Sequence, residues 1–95
     1  MALLTQLQMN RIPSLYSQEN TKDSIVYLKI TCMQAVWLIT ELDQEQGLAF
    51  GYCYIHEGEL GYVSLEEIED LKSQYRINIF EIEKPLSQMK KELGI

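Results

Sequence analysis

Alternation with a period of two dominates the middle of the chain. Phe50, Tyr52 and Tyr54 alternate with Gly51, Cys53 and Ile55, as a strand with two unlike faces requires, and this predicts a strand from Leu48 to Ile55. The polar group His56-Glu57-Gly58-Glu59 comes next, with Gly58 free to take positive φ so that the chain can reverse, and Leu60 to Val63 returns as a short strand. At Ser64 the period changes. Leu65, Ile68 and Leu71, with Tyr75 as a candidate continuation, recur at helical steps and line one side of a helix. Ser64 and Glu67 have the spacing of a capping box, and Glu66 and Glu67 sit at the positive end of the helix dipole.

The flanking segments follow the same logic. Thr5 caps a short helix running to about Ile12, with Leu7 and Ile12 turned inward and Met9 a candidate third, and Pro13 stops it. Ser14 to Ser24 is polar apart from Leu15 and Tyr16, so it reads as a loop anchored by those two side chains. Ile25 to Met33 is a strand with an apolar face of Val26, Leu28, Ile30 and Cys32. After a tight turn near Gln34, Ala35 to Leu42 puts Trp37 and Ile39 on one face and Val36 and Leu38 on the other. Asp43 to Gly47 is a polar hairpin loop. Small residues at Ala49, Gly51 and Cys53 are expected to admit a helix, with Phe50 and Tyr52 packing on Trp37 or Tyr27.

Arg76 to Glu83 supplies a last strand. Ile77 and Ile79 are out of phase with Phe80 and Ile82, which implies a bulge or a strand covered on both faces. Ser87 to Leu93 forms a final helix stopped at Gly94. The expected class is α+β: one small domain spanning residues 1–95, with a mainly antiparallel sheet of four to five strands covered by helices on one side, in the order α-β-β-β-β-α-β-α.

Composition adds a compartment and a charge. With 46% hydrophobic residues the chain can bury one core, which argues against disorder. Cys32 and Cys53 fall inside strands and read as small buried hydrophobes of a reduced, cytoplasmic protein rather than as a disulfide. The start, Met-Ala-Leu-Leu-Thr-Gln, has no basic region and is not read as a signal peptide, and no segment is apolar enough to cross a membrane. Net charge is −6, and between Lys29 and Lys72 there is no Lys or Arg. Such a middle repels nucleic-acid phosphates and attracts basic surfaces, whereas the plainer reading is a solvated face that keeps the protein in solution.

Candidate chemistry is sparse. Metal-assisted hydrolysis needs carboxylates and imidazole converging on one cation, and His56, Glu57 and Glu59 with Glu41 are the set to test. The same residues are also what a hairpin turn carries by default. His56 is the single histidine, neither Cys53 nor Ser64 stands in a nucleophile motif, and no glycine-rich phosphate loop precedes a helix. Phe50, Tyr52 and Tyr54 could stack bases only where a basic groove surrounds them, and their surroundings are acidic. No cofactor is implied.

The segments IPSLYSQE (Ile12 to Glu19), KDSIVYLKI (Lys22 to Ile30), WLITELD (Trp37 to Asp43), FGY (Phe50 to Tyr52) and ELGYVSLEEIE (Glu59 to Glu69) resemble a small bacterial family of uncharacterised domains carried largely by plasmids, conjugative elements and phages. The resemblance brings no catalytic residue. Its habitat implies a part in the conflict between mobile elements and hosts. Together with the acidic middle, this leads to an expected interaction module that binds a basic host protein and blocks or recruits it, the blocking of a nucleic-acid-binding groove being its sharpest version. Glu57, Glu59, Glu66, Glu69 and Asp70 are the expected contacts, without direct nucleic-acid or membrane binding.

Overall fold

The structure, a computed structural model, describes residues 3–95; Met1 and Ala2, where the N-terminal stretch begins, lie outside the described residues. Five strands build one antiparallel sheet: β1 (Ile25–Cys32), β2 (Ala35–Asp43), β3 (Leu48–Tyr54), β4 (Gly58–Ser64) and β5 (Ile77–Pro85), lying side by side as β4-β3-β2-β1-β5. The helices are α1 (Gln6–Arg11), α2 (Leu65–Asp70), prolonged by a 3-10 turn at Leu71–Ser73, and α3 (Leu86–Leu93). The element order is the one expected from the sequence.

Register sorts the side chains into two layers. Ile30 lies opposite Trp37, Ile39 opposite Gly51, and Ala49 opposite Val63. With Leu28, Cys32, Leu42, Leu65 and Ile68 these make the larger core, which Leu3, Leu4 and Ile12 at the two ends of α1 complete. One-sided cover therefore describes α1 and α2. The reverse face carries a smaller core of Val26, Leu38, Tyr52 and Met89, and α3 packs there. Val26 packs in this smaller core and not with Leu28, Ile30 and Cys32, and the β1–β5 register shifts beside it, three residue steps of β5 from Glu81 to Lys84 spanning two of β1. The same irregularity is a bulge in β5, and both faces of that strand are used: Ile77 and Ile79 pack on the larger core and Ile82 on the smaller.

Several local expectations change for physical reasons. Leu7 is 79% exposed, because the six-residue α1 turns its few inward positions to Met9 and its C-cap Ile12. The full capping box belongs to α1, where Thr5 and Gln8 bond reciprocally. At α2 only half of it forms: Ser64 accepts from the Glu67 N–H, while Ser64 itself ends β4 opposite Leu48. Gly47 and Met33 take positive φ in the two turns flanking β2, but Gly58 does not. Gly58 starts β4, and a side chain there would run into the Tyr52 ring.

Gly51 is needed for a different approach from the one expected. A Cβ at that position would collide with the main chain of β2 at Leu38 and Ile39, so the glycine admits a neighbouring strand and not a helix. Phe50 and Tyr52 lie on the face opposite Trp37. Phe50 meets Tyr62 edge-on at 5.1 Å, and the Lys90 ammonium sits 4.4 Å above the Tyr52 ring.

Candidate functional site

A second bulge builds the most constrained feature of the surface. Ile39 pairs with Gly51 and Glu41 with Phe50, so Thr40 is the extra residue of β2, and its hydroxyl donates to the Phe50 carbonyl. Without that residue Glu41 would share a face with Ile39 in the larger core; with it, Glu41 turns to the face of Phe50. There the residue is 5% exposed, and its carboxylate accepts the main-chain N–H groups of Tyr16 at 2.9 Å and Gln18 at 2.7 Å. Gln18 completes the clasp, donating to the carbonyls of Ile25 and Thr40 and accepting the Ile25 N–H. The loop from Ser14 to Ser24 is thus anchored by Gln18 and Glu41, whereas Tyr16, expected as an anchor, is exposed at φ 71°.

The clasped loop forms one wall of a cleft of about 490 Å³ whose floor is Thr40, Glu41, Phe50, Leu60 and Tyr62, and whose far wall is the start of α3 at Leu86, Ser87 and Lys90. Asp23 ties the two walls together by accepting the Ser87 N–H and hydroxyl. Those two bonds hold the Asp23 carboxyl below its ordinary value. Tyr16 and Tyr62 join hydroxyl to hydroxyl at 3.1 Å across the mouth. That bond, with partial desolvation and the charges of Glu41 and Glu19, pushes the Tyr62 phenol up. The cleft mixes cations, carboxylates and aromatic rings, and its buried carboxylate is already occupied by the loop.

On the other face, a groove of about 490 Å³ runs between α2 and the sheet, with Trp37, Cys53, Val63, Ile68 and Leu71 inside it and Glu59 and Glu67 at its rim. Burial pushes the Cys53 thiol up, and the charge of Glu59 pushes it the same way. Glu57 on the turn and Glu59, Glu66 and Asp70 are all exposed, as expected of partner contacts. Glu69 departs from that expectation. Its position flanks the Leu65 and Ile68 stripe, the residue is half-buried, and one carboxylate oxygen is buried without a hydrogen-bond partner. Among the described residues, no ion pair includes any residue of β4 or α2; the pairs are Arg11 with Glu81 and Glu83, and Lys84 with Glu92.

The hydrolase set does not assemble. His56 and Glu57 lie on the turn after Tyr54 and Glu59 on β4, whereas Glu41 pairs with Phe50, roughly 13 Å back along β3 at the usual strand rise. Among the described residues no three His, Cys, Asp or Glu side chains converge as a metal site would require. Among the described residues no helix is long and apolar enough to cross a membrane. The clasp went unread because alternation cannot show a bulge, although the polar pair Thr40-Glu41 inside the run Trp37 to Leu42 was its visible trace.

Comparison with known proteins adds one finding. A family model described as a protein of unknown function (DUF2958) matches residues 2–92. No curated protein and no solved structure matches the chain.

Proposed function

Because the chain belongs to the DUF2958 family, whose description carries no activity, we propose from its own surface that it is a protein-interaction module that binds a basic protein through its β4–α2 side and blocks or recruits it. The supporting observation is charge that the fold leaves uncompensated. Glu57, Glu59, Glu66, Glu67 and Asp70 are exposed on that side and, among the described residues, none is in an ion pair, while the ion pairs found lie among α1, β5 and α3. An apolar groove under the same acids gives a partner something to bury. The sequence resemblance to domains of plasmids, conjugative elements and phages sets the context, in which a host nucleic-acid-binding protein is the fitting target and anti-defence the fitting outcome.

The test is affinity capture from host lysate at low and high salt, with the wild-type domain and with a folded variant carrying Glu59→Lys, Glu66→Lys and Asp70→Lys. Exposed charges act through a field screened over about 8 Å at physiological ionic strength. The wild type should hold basic proteins at low salt and release them at high salt, and the triple variant should not capture them. Capture of the same proteins by the variant at both salt levels assigns the charge to solubility alone.

A further inference from the structure

β4 ends the sheet, and the large apolar side chains Leu60 and Tyr62 on it are 59% and 54% exposed. The bond from the Leu65 N–H to the Gly47 carbonyl sets the phase of the β3–β4 ladder. In an antiparallel pair, bonded and non-bonded positions alternate, so Val63, Gly61 and Glu59 turn their main-chain groups toward β3, and Leu60 and Tyr62 turn theirs to the open edge. Side chains alternate with the same period. Glu59 points to the α2 face, beside Cys53 and the groove rimmed by Glu67, and Leu60 and Tyr62 point to the α3 face. β4 itself carries no Lys or Arg, although natural sheets commonly protect an edge strand with one; the cations Lys22 and Lys90 lie across the cleft that Leu60 and Tyr62 help to line.

We propose that this edge is the docking site itself, and that its occupant is an extended segment of the basic partner, which adds to the sheet as a sixth strand beside β4. The segment has a period of two. Its Lys or Arg residues fall on the α2 face, where they reach Glu59 and Glu67, and its apolar residues fall on the other face against Leu60 and Tyr62. Main-chain bonds to Leu60 and Tyr62 supply affinity, and the alternating side chains supply selection. Charge argues against a second copy as occupant, since each chain carries −6 and the acids flank this edge. The inference rests on the acidic-surface reading and adds the mode of binding.

The probe is a synthetic peptide of alternating Lys and Val matched to the seven residues of β4, compared with a block peptide of the same composition and with an alternating peptide N-methylated on its edge-facing amides. Binding is followed by titration and by amide exchange at Leu60 and Tyr62. The alternating peptide should bind and slow exchange at both amides, and N-methylation, which leaves the protein untouched, should weaken binding by about tenfold or more through lost strand bonds. Leu60→Pro, which deletes one outward N–H at an edge position where proline is tolerated, should act in the same direction. Equal binding of all three peptides without protection overturns strand addition while leaving the acidic surface in place. Failure of every peptide, while the domain still captures basic proteins from lysate, also overturns it. Protection of both amides in a dimer of the free protein assigns the edge to a second copy.

Discussion

The two edges of the sheet are built in opposite ways. Along β5, Arg11 of α1 reaches over to Glu81 at 3.0 Å and to Glu83 at 3.5 Å, and donates to the Ile82 carbonyl at the bulge. Gln8 adds a bond to Glu81, Lys84 pairs with Glu92 of α3, and the Lys29 ammonium lies 4.5 Å above the Phe80 ring. Charge of both signs, a bulge and Pro85 make that edge a poor template for another strand. β4 has none of the ion pairs and neither bulge; it has exposed Leu60 and Tyr62 and acids of one sign. A chain that guards one edge with charge shows by contrast where another surface is left free to pair.

The largest expected effect comes from severing the open half from the rest of the sheet. Gly51→Ala brings a Cβ against the β2 main chain at Leu38 and Ile39, and that backbone cannot yield as a side chain could. Seating β3, and β4 behind it, should become less favourable by roughly 3 to 5 kcal/mol, the range of strong packing defects. Urea denaturation checks this: an unchanged midpoint would mean that β2 and β3 are further apart than the geometry gives.

Removing the guard should convert one edge toward the other. Arg11→Ala deletes two exposed ion pairs, so its stability cost should stay within about 1 kcal/mol. Its effect should appear instead in association, because the Ile82 carbonyl and the carboxylates of Glu81 and Glu83 lose the side chain that occupies them. Titration with the alternating Lys and Val peptide should show a second binding site that the wild type lacks, since Glu81 and Glu83 are then released from Arg11 to receive its cations. If the variant takes up no more peptide than its parent, Arg11 is not what protects β5.

The smallest effect concerns the tie between loop and α3. Bonds from Ser87 hold the Asp23 carboxyl below its ordinary 3.8. A carboxyl whose value is lowered by folding contributes stability that is present above its unfolded value and is lost as pH falls through the folded one. The wild type should therefore lose a small increment of stability as pH drops below about 4 that Asp23→Asn does not lose, while the two differ by a constant amount at neutral pH. Parallel thermal melts between pH 7 and 3 read this out, and parallel curves throughout would show that Asp23 keeps its ordinary value.

How much of this was legible in the sequence depended on whether a position obeyed a simple period. The alternation of Trp37 and Ile39 against Val36 and Leu38 marks both faces of β2, and the phase of Ile77 and Ile79 against Ile82, which leaves a bulge or two-sided cover open, reflects two-sided cover, the bulge lying further on between Glu81 and Lys84. Ser64 and Gly94 stand at the helix ends where their chemistry places them. Periodicity failed where register changed. Thr40 redirects Glu41 to the loop, and Gln18 takes the anchoring place expected of Tyr16, through bonds between residues more than twenty positions apart, while Leu15 is half-buried. Glu69 is half-buried where helical spacing predicts exposure, because a six-residue helix has a wide flank on which a side chain can be neither core nor surface.

The order β4-β3-β2-β1-β5 also bears on how the molecule assembles. β1 to β4 meet their neighbours through successive turns of the chain, whereas β5 must cross from the end of α2 to the far side of β1. Closing that long excursion costs more chain entropy than closing a hairpin, so topology favours a β1–β4 meander that forms first and receives β5 afterwards. Pulse-labelled hydrogen exchange during refolding should find the amides of β5 protected last, and simultaneous protection of all five strands would contradict this order. On this route the outer side of β1 waits uncovered until β5 and the N-terminal arginine arrive, so the side of the sheet that is best defended in the finished molecule is the side left open longest on the way to it.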